Sequence, residues 1–370
     1  MKFLCFVGTR PEAIKMAPVI LELSRHSRVL TVCSGQHTDL AEEPLSWFGI
    51  KPDARFELDP KARTLSGLTS QLLVKMEEAL NTFKPDVVMA QGDTTTLLAA
   101  AMSAFYLSVP FAHVEAGLRT GDLAAPFPEE FNRTVAGRIA KWHFCPTIRA
   151  ANNLQAEGIS QSRIFVTGNT GIDALRISLA RIPANSRAHT TRRILLTAHR
   201  RENQGSRLDS IAKSVIQLTH DFGDVEFTIP VHPNPDVKTA MFNALSGLPR
   251  VQLLPPLTYP ELISEMNKAY LILTDSGGIQ EEAPFLKKPV LVLRDVTERP
   301  EAVELGVARM VGTNSDNIIS ATAELLRNPD TYRKMASGAS PYGDGYAAER
   351  IRAVLLGAEI AGHGQPRAGS

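Results

Sequence analysis

Three carboxylates and a pair of glycines are the residues of this chain best placed for chemistry. Asp93 follows the apolar run Val87 to Gly92, Glu115 closes the run Pro110 to Val114, and Glu129 comes directly after Pro126-Phe127-Pro128. In open α/β sheets ligands bind beyond the carboxyl ends of the strands, so carboxylates in these loops are the first candidates for general acid/base work. A charged residue ending a buried strand seldom lacks a role, which singles out Glu115. Asp93, just ahead of Thr94-Thr95-Thr96, is, taken alone, better read as a helix cap. Further along, Tyr270 to Thr274 leads through Asp275 into Ser276-Gly277-Gly278, and the next residues read as a helix opening with Glu281 and Glu282 one turn in. N–H groups at a helix start favour a phosphate, and paired glycines let it approach the main chain. The two carboxylates would accept hydrogen bonds from sugar hydroxyls. That combination describes a nucleotide pocket, although a tight strand-to-helix turn with a charged first turn accounts for this stretch alone equally well.

Cations and imidazoles complete the set. Gly8-Thr9-Arg10-Pro11-Glu12 follows the first apolar run, with Lys15 one turn into the helix. Two cations near a helix start neutralise a pyrophosphate, and Arg10 offers a planar fork, while a surface turn with solvated charges is the plainer account. His199, in Ala198-His199-Arg200-Arg201-Glu202, follows the first strand of the second half and would face the same crevice if two domains oppose each other. An imidazole there binds phosphate or moves a proton. His232 is a lone imidazole in a proline-rich loop. Gly343-Asp344-Gly345-Tyr346-Ala347-Ala348 fits the dinucleotide fingerprint in letters but follows no strand, so no nicotinamide is expected. No P-loop lysine, G-x-S-x-G elbow or histidine pair with metal spacing occurs, so no metal and no other cofactor is expected either.

The elements that must position these residues alternate. Lys2 to Val7, Val29 to Cys33, Asp86 to Ala90, Pro110 to Val114, His143-Phe144 and Ile164 to Thr167 read as strands, separated by segments of helical spacing such as Thr64 to Phe83. The rhythm restarts at Arg193, with strands at Ile194 to Thr197, Glu226 to Ile229, Val251 to Leu254, Tyr270 to Thr274 and Val290 to Leu293. Alternation of this kind predicts an α/β fold with parallel sheets covered on both faces. A chain of 370 residues suits two domains. We expect a Rossmann-like domain over 1–170 and a second, carrying the phosphate site, over 171–346, with a helix from about 347 packing back on the first. Lys+Arg 40 against Asp+Glu 39 leaves a formal charge of +1, which points to neither nucleic acid nor an anionic membrane as a partner. Cys5, Cys33 and Cys145 form no paired motif, and no apolar run approaches the ~18 residues of a membrane span, so a soluble cytoplasmic protein is expected.

Six ordered blocks then become recognisable: GTRPEAIKMAP, QGDTTT, HVEAGLRTGD with PFPEE, HRREN, TDSGGIQEEAP and RDVTERPEAV. From Met1 to about Arg350 the chain resembles the non-hydrolysing UDP-N-acetylglucosamine 2-epimerases. The resemblance implies two Rossmann-like domains facing a central cleft, as in GT-B glycosyltransferases, and a homodimer. It also implies reversible conversion of UDP-N-acetylglucosamine to UDP-N-acetylmannosamine without nicotinamide. Carried over block by block, it makes Arg10, Lys15, His199, Ser276, Gly277, Gly278, Glu282 and Arg299 nucleotide-sugar ligands. Asp93, Glu115 and Glu129 become the catalytic carboxylates, with His199 beside them. Gln36, His37, Arg200 and His232 match parts of an activating second site. A hydrolysing 2-epimerase, an enzyme of a modified UDP-N-acetyl sugar, a UDP-sugar glycosyltransferase and a catalytically inert nucleotide-sugar sensor stand as alternatives.

Overall fold

The computed structural model describes residues 1–36, 41–61, 64–183, 191–200, 203 and 205–357. Its contacts divide the chain into two units, Met1–Arg176 with Tyr342–Ser370, and Ile177–Pro341.

The first unit is built in chain order from β1 (Lys2–Val7), α1 (Arg10–Ser24), β2 (Arg28–Cys33), α2 (Glu42–Trp47), β3 (Ala54–Arg55), α3 (Leu65–Phe83) and β4 (Val87–Gln91). It continues through α4 (Thr95–Tyr106), β5 (Phe111–Val114), α5 (Glu129–Ile139), β6 (Trp142–Cys145), α6 (Ile148–Ala156), β7 (Ile164–Val166) and α7 (Thr170–Arg181). Its seven strands lie in the order β3-β2-β1-β4-β5-β6-β7, and every pair is parallel. The central strands are mostly apolar because both faces are covered: every residue of β4 is buried, its last, Gln91, included. Phe6, Val32, Val88, Leu97 and Phe111 meet in one core.

The second unit comprises β8 (Arg192–Thr197), α8 (Ser206–Asp221), β9 (Val225–Pro230), α9 (Pro235–Leu245), β10 (Val251–Leu254), α10 (Tyr259–Lys268) and β11 (Leu271–Thr274). After these come α11 (Gly277–Glu282), β12 (Val290–Val292), α12 (Pro300–Glu304), β13 (Ala308–Met310), α13 (Ser315–Arg327) and α14 (Pro329–Ser337). Its six strands, again all parallel, lie in the order β10-β9-β8-β11-β12-β13. The last helix, α15 (Ala347–Leu356), belongs to the first unit, where Arg352 Nε lies 2.8 Å from Glu22 Oε1 on α1.

Both sheets are Rossmann-like, and each has a switch point where the strand order reverses, between β1 and β4 and between β8 and β11. The loops leaving β1 and β4 carry Arg10 and Asp93, with Glu115 one strand further on; those leaving β8 and β11 carry His199 and Ser276 to Gly278. Strands β3 and β13 were not foreseen, being two and three residues long at sheet edges. The boundary expected at 170/171 lies at the start of α7, and the division between the units falls inside that helix. All three cysteines are buried and unpaired, and burial pushes the thiols of Cys5 and Cys145 up to about 12 and that of Cys33 to about 11.

Candidate active site

In the first unit the site grows around Glu115, one residue beyond β5. Its backbone sits at φ 64, the left-handed region that costs a residue with a side chain about 1 kcal/mol or more. Such conformations persist where surrounding contacts over-determine them. Here the contacts are plain: Glu115 Oε1 accepts from Gln91 Nε2 at 3.0 Å, and Oε2 accepts from Asn169 Nδ2 at 3.1 Å and from Lys15 Nζ. A carboxylate with three donors, one of them an ammonium, is favoured in its ionised form. Lys15, expected on a pyrophosphate, thus has its ammonium on the candidate catalytic carboxylate.

Asp93 is not the helix cap it could have been. Thr94 takes that place, its hydroxyl accepting from Leu97 N, and Asp93 Oδ2 instead lies 3.1 Å from Arg133 Nη1. Arg133 is itself buried against Glu130, whose two oxygens accept from Thr120 N, Gly121 N and Arg133 Nε. Glu130 therefore shapes the loop after Glu115, and its neighbour Glu129 begins α5 at the same corner. Burial alone would raise the Glu130 carboxyl, but these donors outweigh it and hold it below the ordinary range. Asn132 Nδ2 donates to Asp93 O at 2.9 Å, so α5 fixes the Asp93 loop from both sides.

Glu12 ties two loops together. It is buried in the first turn of α1, with Oε2 accepting from Gly8 N at 2.8 Å and Oε1 from the Thr94 hydroxyl at 2.5 Å. Burial pushes its carboxyl up to about 7 against the pull of those donors. A carboxyl raised above its unfolded value of about 4.3 holds its proton more tightly when folded. Its stabilising contribution is then full below that value and is lost as pH rises through 7. Glu12→Gln, which cannot ionise, should accordingly gain in thermal midpoint relative to the parent between pH 5 and pH 8. A midpoint difference that is flat across that range would remove Glu12 from the pH dependence.

Arg10 opens α1, with Nε 3.7 Å from Glu43 Oε2 and a partly exposed side chain. Gln36 uses its carbonyl oxygen on Thr96, accepting from N at 3.1 Å and from Oγ1 at 2.8 Å. His37 lies outside the described residues.

In the second unit the hub is Asp275, to which sequence reasoning assigned no role. It is fully buried, and Oδ2 accepts from His199 N, Arg200 N and Asn203 Nδ2 at 2.8, 2.8 and 2.9 Å. Oδ1 lies 2.9 Å from His199 Nδ1. Burial works to raise this carboxyl, yet the imidazole and the two amides prevail and hold it below the ordinary range. Asp275 thereby fixes the ring and the main chain of His199 together. The His232 ring stacks on that of His199 at 6.0 Å, and its Nδ1 accepts from Asn234 N. Burial, and then the neighbouring imidazole, lower its basicity.

Ser276, Gly277 and Gly278 make the turn into α11. The Arg299 guanidinium lies across Gly277, where a Cβ would come within 2.8 Å of Cζ and push that group aside. Arg299 Nε donates to Glu281 Oε1 at 3.0 Å and Nη1 to Glu298 Oε2 at 2.8 Å. So one of the two carboxylates expected on sugar hydroxyls engages Arg299 instead. Glu282 accepts from the Tyr259 hydroxyl at 3.1 Å. Gly343 and Gly345 have φ 116 and 86, and Gly343 lies against Gly168.

Known proteins match the chain over nearly its whole length. A family model described as UDP-N-acetylglucosamine 2-epimerase matches residues 21–356. The UDP-N-acetylglucosamine 2-epimerase of Bacillus subtilis (strain 168) is 44% identical over 361 residues, covering 96% of this chain and 95% of that protein. The solved structure of the UDP-GlcNAc 2-epimerase from Neisseria meningitidis bound to UDP-GlcNAc superposes with a TM-score of 0.91 at 43% identity, over 96% of this chain and 100% of that one. That of the Methanocaldococcus jannaschii enzyme in complex with UDP-GlcNAc and UDP gives 0.80 at 35% identity, over 96% and 99%.

Proposed function

Because the chain belongs to the UDP-N-acetylglucosamine 2-epimerase family, we propose that it interconverts UDP-N-acetylglucosamine and UDP-N-acetylmannosamine by eliminating and re-adding UDP. The observation that carries this reading is Glu115, a carboxylate set at a strand end beside the switch point and held by Lys15, Gln91 and Asn169.

The hydrogen at C2 is not next to a carbonyl, so no side-chain base removes it unaided. Coupling its loss to departure of UDP from C1 changes that, because the leaving pyrophosphate can be stabilised. A base takes H2, UDP leaves with the C1–O electron pair, and 2-acetamidoglucal remains. Protonation of C2 on the opposite face and return of UDP to C1 give the epimer. Asp93, Glu115 and Glu129 supply the acid/base groups for the two faces. Arg10 and Lys15 in the first unit, and His199, Ser276, Gly277, Gly278 and Arg299 in the second, bind the diphosphate, with Glu282 on the nucleotide's sugar hydroxyls. Gln36, Arg200 and His232 are assigned, with His37, to a second nucleotide-sugar site that activates the enzyme.

A homodimer in the cytoplasm belongs to the same reading; Val74, Phe105 and Tyr106 leave apolar surface on α3 and α4 for a second copy. Among the described residues no helix is long and apolar enough to cross a membrane. The test is proton NMR of purified protein with UDP-N-acetylglucosamine and no acceptor. UDP-N-acetylmannosamine should grow to a fixed ratio and form again from either side. Free N-acetylmannosamine with UDP as the end products would identify a hydrolysing enzyme, and absence of turnover would favour a transferase or an inert sensor, which addition of an acceptor separates.

A further inference from the structure

We propose that Asn169 is a positioning residue for the reaction, an amide that fixes Glu115 Oε2 from the start of α7 and keeps that carboxylate aimed and ionised. The inference rests on the proposed role of Glu115 in proton transfer. Asn169 is buried at the turn ahead of Thr170, with its N–H donating to Tyr342 O at 2.8 Å and its carbonyl accepting from Ile172 N at 3.0 Å. Its side-chain Oδ1 accepts from Gly171 N at 2.8 Å. A backbone N–H only donates, so the carbonyl oxygen must face Gly171 and the NH2 must face Glu115, 3.1 Å away. The amide cannot turn over without breaking both bonds. Gly171 leaves that amide its space: a Cβ there would stand 3.1 Å from Asn169 Oδ1 and 3.5 Å from Lys15 Cε.

The groups around Glu115 make this neutral donor matter. On α1, Lys15 is the charged group in contact, while Glu12 is turned to Gly8 and Thr94. On β4 the facing group is Gln91, which is neutral. His113 on β5 is held neutral by burial, its basicity lowered to about 3, and burial also lowers His143 on β6 and raises the Cys145 thiol to about 12. On α7, Asp173 is turned to Ala347 N and Ala348 N. Hydrogen bonds to the ionised form favour it, and Asn169, at the mouth of α7, gives one.

Two variants separate this role from the cap on Gly171. Asn169→Ser keeps an oxygen for Gly171 N–H but cannot span to Glu115, so kcat should fall about tenfold or more with KM within about threefold and a near-parent thermal midpoint. Asn169→Asp keeps the shape and sets a second carboxylate against the first, which raises the proton affinity of Glu115. The acidic limb of its kcat–pH profile should move up by about one unit or more. Parent kcat in Asn169→Ser, or a loss there that disappears when activity is divided by folded protein, overturns the proposal. So does a parent acidic limb in Asn169→Asp; should that variant fail to fold, the Asn169→Ser result decides. The parent and Glu115→Gln are run alongside. If the parent does not epimerise, the functional reading fails; if Glu115→Gln keeps its rate, Glu115 leaves the mechanism and the role given to Asn169 falls with it.

Discussion

Glu115→Gln is expected to lower kcat by at least about a hundredfold, the lower range for loss of acid/base help, while UDP affinity stays within about threefold. The substitution is unusually clean at this site. Lys15 and Asn169 both donate to Oε2 and neither can accept there, Asn169 being held by Gly171 N. A glutamine must therefore present its carbonyl oxygen to them and its NH2 to Gln91, whose amide can turn over to accept. The strand end, the left-handed backbone and the neighbouring side chains are all retained. Basicity and charge are lost, so a fall in turnover reports chemistry and not collapse. The measurements are steady-state rates followed by NMR and calorimetric titration with UDP. Near-parent turnover would remove Glu115 from the mechanism.

How far the site was legible in the sequence depends on the kind of residue. Parallel strands buried on both faces announce themselves as short apolar runs between helical spacings, and the residue that closes such a run then lies in a ligand-binding loop by topology alone. That logic reached Asp93, Glu115, His199 and Ser276 to Gly278. It did not reach Asp275, although a carboxylate between a wholly buried strand and a glycine pair carries the same signal as Glu115. Asn169, Gln91 and Arg133 were missed for a different reason. They act by touching residues far away in sequence: Asn169 is 54 positions from Glu115, and Arg133 is 40 from Asp93. A neutral amide on a buried turn has no periodicity to betray it. The edge strands β3 and β13 escaped because each carries an arginine and forms no apolar run.

Epimerisation in D2O should place deuterium at C2 of every product molecule, and prolonged incubation should label the substrate pool as well. Proton loss and return require this, because the carboxylates that take and give the proton exchange with solvent between turnovers. A hydride mechanism predicts the reverse: oxidation and reduction through a bound nicotinamide can return the original hydrogen. The labelling is all-or-none at C2, so it separates the two routes without reference to rate. Elimination also demands cleavage of C1–O, which has its own signature. While UDP is free of the sugar, its diphosphate oxygens can rotate, so an oxygen label placed in the bridge should scramble into the non-bridging positions. Traces of free UDP and 2-acetamidoglucal should accumulate where the intermediate escapes. Arg299, fixed across Gly277 by Glu281 and Glu298, and His199, fixed by Asp275, are the groups assigned to hold that departing diphosphate. Arg299→Lys, which keeps the charge but loses the planar fork, should therefore slow scrambling and labelling together. Epimerised product with protium at C2 and no movement of the bridging oxygen would sink the elimination route, whatever became of the carboxylate variants.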